Sequence, residues 1–253
     1  NESLYRPLSV AMFAVEWQIA PENPAIGHWI NVLLYALTAW VLFLFLANLF
    51  KDDWLFAFIA TLIYVVHPIH TEVVANIKSR DEVLCFLFLV LSFNCFLKFL
   101  DRAKPVYALG VLFYFILSLL SKESSVTAIV IFPLIAYFFR QQTIGRSIKL
   151  SWSPAIAIAV YLTLRFVVLK GIANFNEILP INNSIVNSQN YLQQLATAVL
   201  IAGKYLYLLI IPYPLSFDYS YNTFPIVDFS EVKALQSLAS YVFLLVMAIK
   251  GVK

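Results

Sequence analysis

Charged side chains are scarce in this chain. They make up 12% of its 253 residues, against 62% apolar ones, where soluble domains average roughly a quarter charged. A water-soluble core of this length cannot absorb so much apolar surface, so lipid is the expected solvent. Period-two alternation is missing as well. The apolar stretches are long and rich in Leu, Phe, Ala and Ile, which argues against a membrane β-barrel. Cysteine is nearly absent. Cys85 and Cys95 share one apolar run and read as packing residues, with no disulfide framework and no zinc spacing. The formal charge of +3 is too small and too scattered to suggest a nucleic-acid partner. No initiator Met, signal peptide, linker or internal repeat is visible, so the chain reads as one membrane domain over residues 1–253. It opens in a polar stretch at Asn1 and stops at Gly251-Val252-Lys253 just after an apolar run, as expected of a piece of a longer protein.

What is present is a series of apolar runs: residues 26–50, 54–66, 83–100, 106–120, 126–139, 154–169, 191–211 and 235–249. A spanning helix needs about 20 residues, so the shorter runs must be extended by flanking polar residues. Residues 8–20 are too short to span and carry Glu16, which suits a helix lying in the interface. The expected fold is all-α, a polytopic transmembrane helix bundle with outward-facing loops and a short interfacial helix. Lys51, then Arg102 and Lys104, then Arg140, Arg146 and Lys149 fall in alternate loops. The positive-inside rule places these in the cytoplasm together with Lys250 and Lys253. Residues 67–82, 121–125, 170–190 and 212–234 then face outward. Residues 191–211 cannot cross once under that orientation. A re-entrant segment or one lying on the outer surface is expected, and Gly203-Lys204 at its middle fits.

The outward loops carry the chemistry. In His67-Pro68-Ile69-His70-Thr71-Glu72 and onward to Glu82, Pro68 suits a helix start. Glu72, Asn76 and Arg80 then recur every four residues on one face of a short surface helix. Such a face suits a phosphate, whose geometry the Arg80 fork matches. Local ion pairs such as Lys78 with Asp81 or Glu82 are the plainer reading. His67, His70 and Glu72 offer three ligand types within six residues. This leaves a divalent metal open, although the spacing is not that of known zinc motifs and hydrogen-bonded loop histidines explain it as well. No other cofactor is expected. Lys122-Glu123 is either the solvated end of a helical hairpin or an anion site. Arg165 lies inside an apolar run near its outward end, where a charge marks a functional site or snorkels to the interface. The tyrosine-rich segment around Asp218 and Tyr219 suits a sugar site or an interfacial aromatic belt.

Several of these motifs, taken in order, resemble the TMTC-type membrane O-mannosyltransferases. Tyr5-Arg6-Pro7-Leu8 and the stretch from His28-Trp29-Ile30-Asn31 to Leu37 are similar to that group's first outward loop and following helix. His67 to Glu72 with Ser79-Arg80-Asp81 is similar to its most distinctive motif. Leu120-Ser121-Lys122-Glu123-Ser124-Ser125 is similar to its turn, and Tyr205-Leu206 to Pro212 with Leu215-Ser216 and Asp218-Tyr219-Ser220 to its late outward loop. The resemblance implies the GT-C fold of membrane glycosyltransferases. It implies transfer of a sugar from a polyprenyl-phosphate donor to an extracytoplasmic hydroxyl on a protein or glycan acceptor. A bacterial inner membrane or the endoplasmic reticulum would house it. Tetratricopeptide repeats often follow the membrane part in this group, and none is visible here. The fold class keeps its catalytic carboxylate in the first outward loop, after a first membrane helix. Glu2 and Glu16 sit in no recognisable acidic motif, so the first helix and the catalytic acid are expected upstream of Asn1. No catalytic residue is assigned, and the isolated chain is expected to be inactive.

Glycosyl transfer from a lipid phosphate needs a base for the acceptor hydroxyl and cations for the departing phosphate. Arg6, Arg80, Lys122 and Arg165 are the candidates for donor-phosphate binding. Arg80, Lys122 and Arg165 are expected to converge on one outward cavity. His67, His70, Glu72, Asp81, Glu123, Asp218 and Tyr219 are the candidates for the surrounding pocket. Secondary transporters, non-catalytic membrane scaffolds and lipid-linked glycan ligases or polymerases are the rival classes. The topology is testable by cysteine accessibility in intact cells. Ser79→Cys should label from outside, and Gln142→Cys only after permeabilisation; equal outside labelling of both defeats this orientation.

Overall fold

The computed structural model describes residues 5–51, 53–170, 185, 188, 190–216 and 223–251. All regular structure among the described residues is helical, in two compact units, Asn1–Asn174 and Phe175–Lys253. Five helices are long and apolar enough to cross a membrane. They number six if Trp54–Val66 and Pro68–Ala75, bent by 51°, form one span. The chain is thus a multi-pass membrane protein. Asp218, Tyr219 and nearly all of the expected loop 170–190 lie outside the described residues.

The first unit begins with α1 (Pro7–Ile19), the expected short helix carrying Glu16. In α2 (Pro24–Leu49), Pro24 occupies the first turn and the Asn23 side chain caps Ala25 N at 3.2 Å, both standard helix-start chemistry. Asp53 caps α3 (Trp54–Val66) through Phe56 N at 3.0 Å. The next stretch departs from expectation. Pro68–His70 is a 3-10 turn, α4 is only Thr71–Ala75, and Asn76 takes an extended conformation before a second 3-10 turn, Ile77–Ser79. Glu72, Asn76 and Arg80 therefore do not share a continuous helix face. Arg80 instead opens α5 (Arg80–Arg102), which stops at Ala103 in the left-handed conformation, a common helix C-terminus. Pro105 then starts α6 (Pro105–Ser121).

The segment after Lys122 is not one α-helix. Glu123–Val130 is a 3-10 helix of eight residues, α7 covers Ile131–Leu134, and Ile135–Phe139 widens into a π-helix. A short α8 (Ile144–Leu150) leads into α9 (Trp152–Leu169).

Helix α5 is the axis of this unit. In the most apolar 18 residues of Ile77–Arg102, 56% of the residues are buried, against 28% in those of α2 and 22% in those of α9. Val90, Phe93, Phe96 and Leu97 of α5 pack with Val111, Phe115 and Leu119 of α6 and with Ala157 and Tyr161 of α9. Phe132, fully buried, sits edge-on to Phe93, Phe96 and Phe115 at centroid distances of 4.9, 5.2 and 5.2 Å. Small polar residues join the helices, as is usual within bilayers. Ser92 Oγ donates to Val111 O at 3.1 Å, and Asn94 Nδ2 donates to Val41 O and Val90 O. At one end of the bundle Arg140 holds Asp101 at 2.6 Å and donates to the last carbonyls of α2, Asn48 O and Leu49 O.

The second unit contains α10 (Tyr191–Ile210), capped by Asn190, and α11 (Val232–Gly251). Gln193 meets Asp228, Thr197 meets Val227, and Tyr241 Oη donates to Ala202 O. Helix α10 is unbroken through Gly203-Lys204, where the sequence suggests a re-entrant or surface-lying segment. Gly203 allows the close crossing, since a Cβ there would lie 2.4 Å from Ser237 Cβ.

Truncating Phe132 to Ala should destabilise the first unit by about 3–5 kcal/mol, the usual range for a buried aromatic. Equilibrium unfolding in mixed micelles measures it; a change within error would mean that this aromatic cluster does not hold the bundle.

Candidate functional site

Arg140 marks one end of the bundle, and a second cluster of ionisable residues gathers at the other. The N-terminus of α5 supplies Arg80, Asp81 and Glu82. The turn after α6 supplies Lys122 and Glu123, the last turns of α9 supply Arg165, and the segment entering α1 supplies Arg6. These elements are distant in sequence and meet because α5 packs against both α2 and α6, with α9 on α6.

Arg80 is fully buried, and each of its nitrogens is engaged. Nε donates to Asn31 Oδ1 at 2.8 Å, Nη2 to Gly27 O at 3.1 Å, and Nη1 to Glu16 Oε2. The guanidinium also lies 4.6 Å from the Phe13 ring centroid, a favourable cation–π arrangement. Asn31, itself fully buried, donates onward to Val74 O and Asn76 O. Gly27 makes room for this cluster, since a Cβ there would come within 2.7 Å of Glu16 Oε1. Arg80 thus faces neither a cavity nor a surface helix face. It ties α1, α2 and the surface loop to α5, because a guanidinium in lipid surroundings demands complete pairing.

Arg6 forms the second knot. It grips Glu123 bidentately at 2.9 and 2.7 Å and Asp81 Oδ2 at 2.6 Å. Hydrogen bonding from Arg6 pulls the Glu123 carboxyl from its ordinary 4.5 to about 2, with partial burial opposing and the charges of Arg6 and Arg165 adding. The same contacts push the Arg6 guanidinium up, hydrogen bonding to Glu123 first, against the effect of burial. Lys122 pairs with Glu82 rather than with a carboxylate on its own segment. The expected local pairs of Lys78 with Asp81 or Glu82 are not formed, since those carboxylates take Arg6 and Lys122.

The remaining pocket candidates lie on the surface loop. His67 Nδ1 accepts from Ile69 N at 3.2 Å, the cap of its 3-10 turn. His70 packs on Tyr64 and Tyr35, with centroids 4.4 and 5.9 Å away. Glu72 accepts from Asn76 Nδ2 at 3.1 Å and Ser79 Oγ at 3.4 Å. Among the described residues no three His, Cys, Asp or Glu side chains are grouped to hold a metal ion. His67, His70 and Glu72 do not form the ligand set that their spacing allowed.

A family model for dolichyl-phosphate-mannose-protein mannosyltransferases matches residues 7–169, from α1 to the end of α9. The chain belongs to that family. The human relative named protein O-mannosyl-transferase TMTC2 is 27% identical over 98% of this chain and 32% of its own length. Mouse TMTC1 is 35% identical over 49% of this chain and 14% of its own length. The Caenorhabditis elegans protein O-mannosyl-transferase F38B6.6 is 28% identical over 98% of this chain and 34% of its own length. The chain thus spans about a third of the length of the curated relatives that it matches most fully. No solved structure gives a significant match.

The family match covers the ionic cluster apart from Arg6, and includes three members that spacing did not single out for the site: Glu16, Asn31 and Glu82. Glu16 and Asn31 had a readable signal, since each is a polar side chain inside an otherwise apolar run, and such residues are retained for a reason. Glu82 had none beyond its charge.

The Glu123 shift sets a pH window. A carboxyl depressed in the fold stabilises it above its ordinary 4.5 and loses that contribution as pH falls toward about 2,. The difference in thermal midpoint between the native chain and Glu123→Gln should be constant from neutral pH to about 4.5, then shrink toward zero near 2. A difference that already vanishes above 4.5 would mean that Arg6 does not hold this carboxylate.

Proposed function

We propose that this chain is the membrane part of a protein O-mannosyltransferase. In this reading it binds dolichyl phosphate mannose and serves transfer of the mannose to a hydroxyl on a protein acceptor. The observation that carries the reading is the gathering of Arg6, Lys122 and Arg165, from three distant elements, at one end of a membrane helix bundle. Departure of a lipid phosphate places negative charge on its oxygens, and preorganised cations lower the barrier to that step. Arg6 and Lys122 are each about one-fifth exposed, whereas Arg80 is closed off entirely. The donor phosphate is therefore assigned to Arg6, Lys122 and Arg165, and Arg80 to holding α1 in place. His67, His70 and Glu72 shape the neighbouring surface loop, with His70, Tyr64 and Tyr35 forming an aromatic wall suited to a sugar face. Asp81 and Glu123 orient Arg6. A base must still take the proton of the acceptor hydroxyl, and no described residue is assigned that role.

Donor binding to the full-length protein tests the reading. Replacing Lys122 or Arg165 by Ala should weaken binding of the polyprenyl-phosphate mannose about tenfold or more, the loss expected for a charge-assisted phosphate contact. Unchanged affinity in both folded variants would assign the cluster a purely structural role.

A further inference from the structure

Among the described residues, the charges of the cluster balance. Arg6, Arg80, Lys122 and Arg165 stand among Glu16, Asp81, Glu82 and Glu123, four cations and four carboxylates. A neutral cluster has no net pull on an incoming phosphate, and adding one leaves an excess of negative charge in a low-dielectric setting. Binding is favourable only if a carboxylate yields its place.

The four carboxylates differ in how they are held. Asp81 and Glu16 are 12% and 13% exposed, and Glu123 is gripped by two nitrogens of Arg6. Asp81 also accepts the Glu82 backbone N–H at 2.9 Å. Glu82 is 43% exposed, and its described side-chain partner is Lys122 alone. It sits at the N-terminus of α5 on a side chain free to turn toward solvent. Lys122, for its part, has Glu82 as its described side-chain partner. The most exposed ion pair of the cluster therefore covers one of the partly exposed cations assigned to the phosphate.

We infer that Glu82 is a built-in placeholder for the donor phosphate: it occupies Lys122 in the resting protein, yields to the phosphate on binding, and returns to displace the product. This rests on the proposed donor site and adds a residue and a regulation to it. The charge count matches the chemistry. A sugar linked through phosphate to a polyprenol is a phosphodiester with one negative charge, so its exchange for one carboxylate leaves the cluster neutral. Transfer breaks the bond between the sugar C1 and the phosphate oxygen, which keeps the electron pair. The acceptor oxygen bonds to C1, and its proton passes to the base. The lipid product is a phosphate monoester, with a charge nearer −2 at neutral pH. It exceeds by almost one charge the carboxylate whose place it holds, and Glu82 can reclaim Lys122 as the product leaves.

The test compares full-length native protein with Glu82→Gln and Lys122→Ala, titrated with polyprenyl-phosphate mannose and separately with polyprenyl phosphate. Removing the competitor in Glu82→Gln should tighten donor binding about two- to fivefold, a modest gain because an ion pair this exposed is weak. It should tighten the product by at least as much, so that polyprenyl phosphate becomes the stronger inhibitor of turnover. Lys122→Ala should lose donor affinity. Glu82→Asp, which keeps the charge on a shorter arm, should tighten donor binding less than Glu82→Gln, and the thermal midpoints of both variants beside the native one control for folding at this position. Weakened or unchanged donor binding in Glu82→Gln, with Lys122→Ala impaired, overturns the placeholder role and leaves the donor site standing. Unchanged donor binding in Lys122→Ala overturns both.

Discussion

One buried guanidinium organises this end of the molecule. Arg80 sits at the junction of α1, α2 and α5 with no access to water, and a charge in such a place is tolerated only when every donor is matched. Matching it recruits Glu16 from the interfacial helix, a carbonyl and an amide from α2, and an aromatic face from Phe13. Removing one partner of a buried pair of this kind costs about 3–5 kcal/mol, because the other partner is left charged and alone. The position of α1, and hence of Arg6 at its start, follows from that demand. Arg6 in turn fixes Asp81 and Glu123. This end of the bundle is thus built from its interior to its surface, with the most deeply buried charge setting the place of the half-exposed ones.

Lipid surroundings account for the rest of the architecture. Apolar burial gives little net drive when the solvent is itself hydrocarbon, so the helices join through packing and short polar contacts. Helix α5 has such contacts on two sides, through Asn94 to α2 and Ser92 to α6, and Phe132 fills the space between three neighbouring rings. Polar ties at both ends of the bundle, Arg140 with Asp101 at one and the Arg6 and Arg80 clusters at the other, hold the helices in register.

Most of the helices were legible in the sequence because their apolar runs are long and their starts carry Pro, Asn or Asp. The surface loop was not. The four-residue recurrence of Glu72, Asn76 and Arg80 looks helical, yet Asn76 satisfies local backbone groups better in an extended turn, and a side-chain amide competes well with the helix there. Arg80 then points inward because Asn31 and Glu16 wait for it, and both lie far away in sequence. Spacing within one segment cannot report such partners. The grouping of Arg6, Lys122 and Glu123 was legible only as a set of charges at helix ends. Which cation would be sealed and which would stay reachable depended on how α1 folds over α5.

The tight coil after Lys122 changes how this segment meets the bilayer. Eight residues in a 3-10 helix rise about 2.0 Å each rather than 1.5 Å. They cover roughly 16 Å where an α-helix of the same length would cover about 12 Å. Residues 123–130 therefore span more than their number suggests, which relieves hydrophobic mismatch without added residues. Any substitution that let this stretch relax into an α-helix would shorten it by about 4 Å and draw Glu123 toward the hydrocarbon.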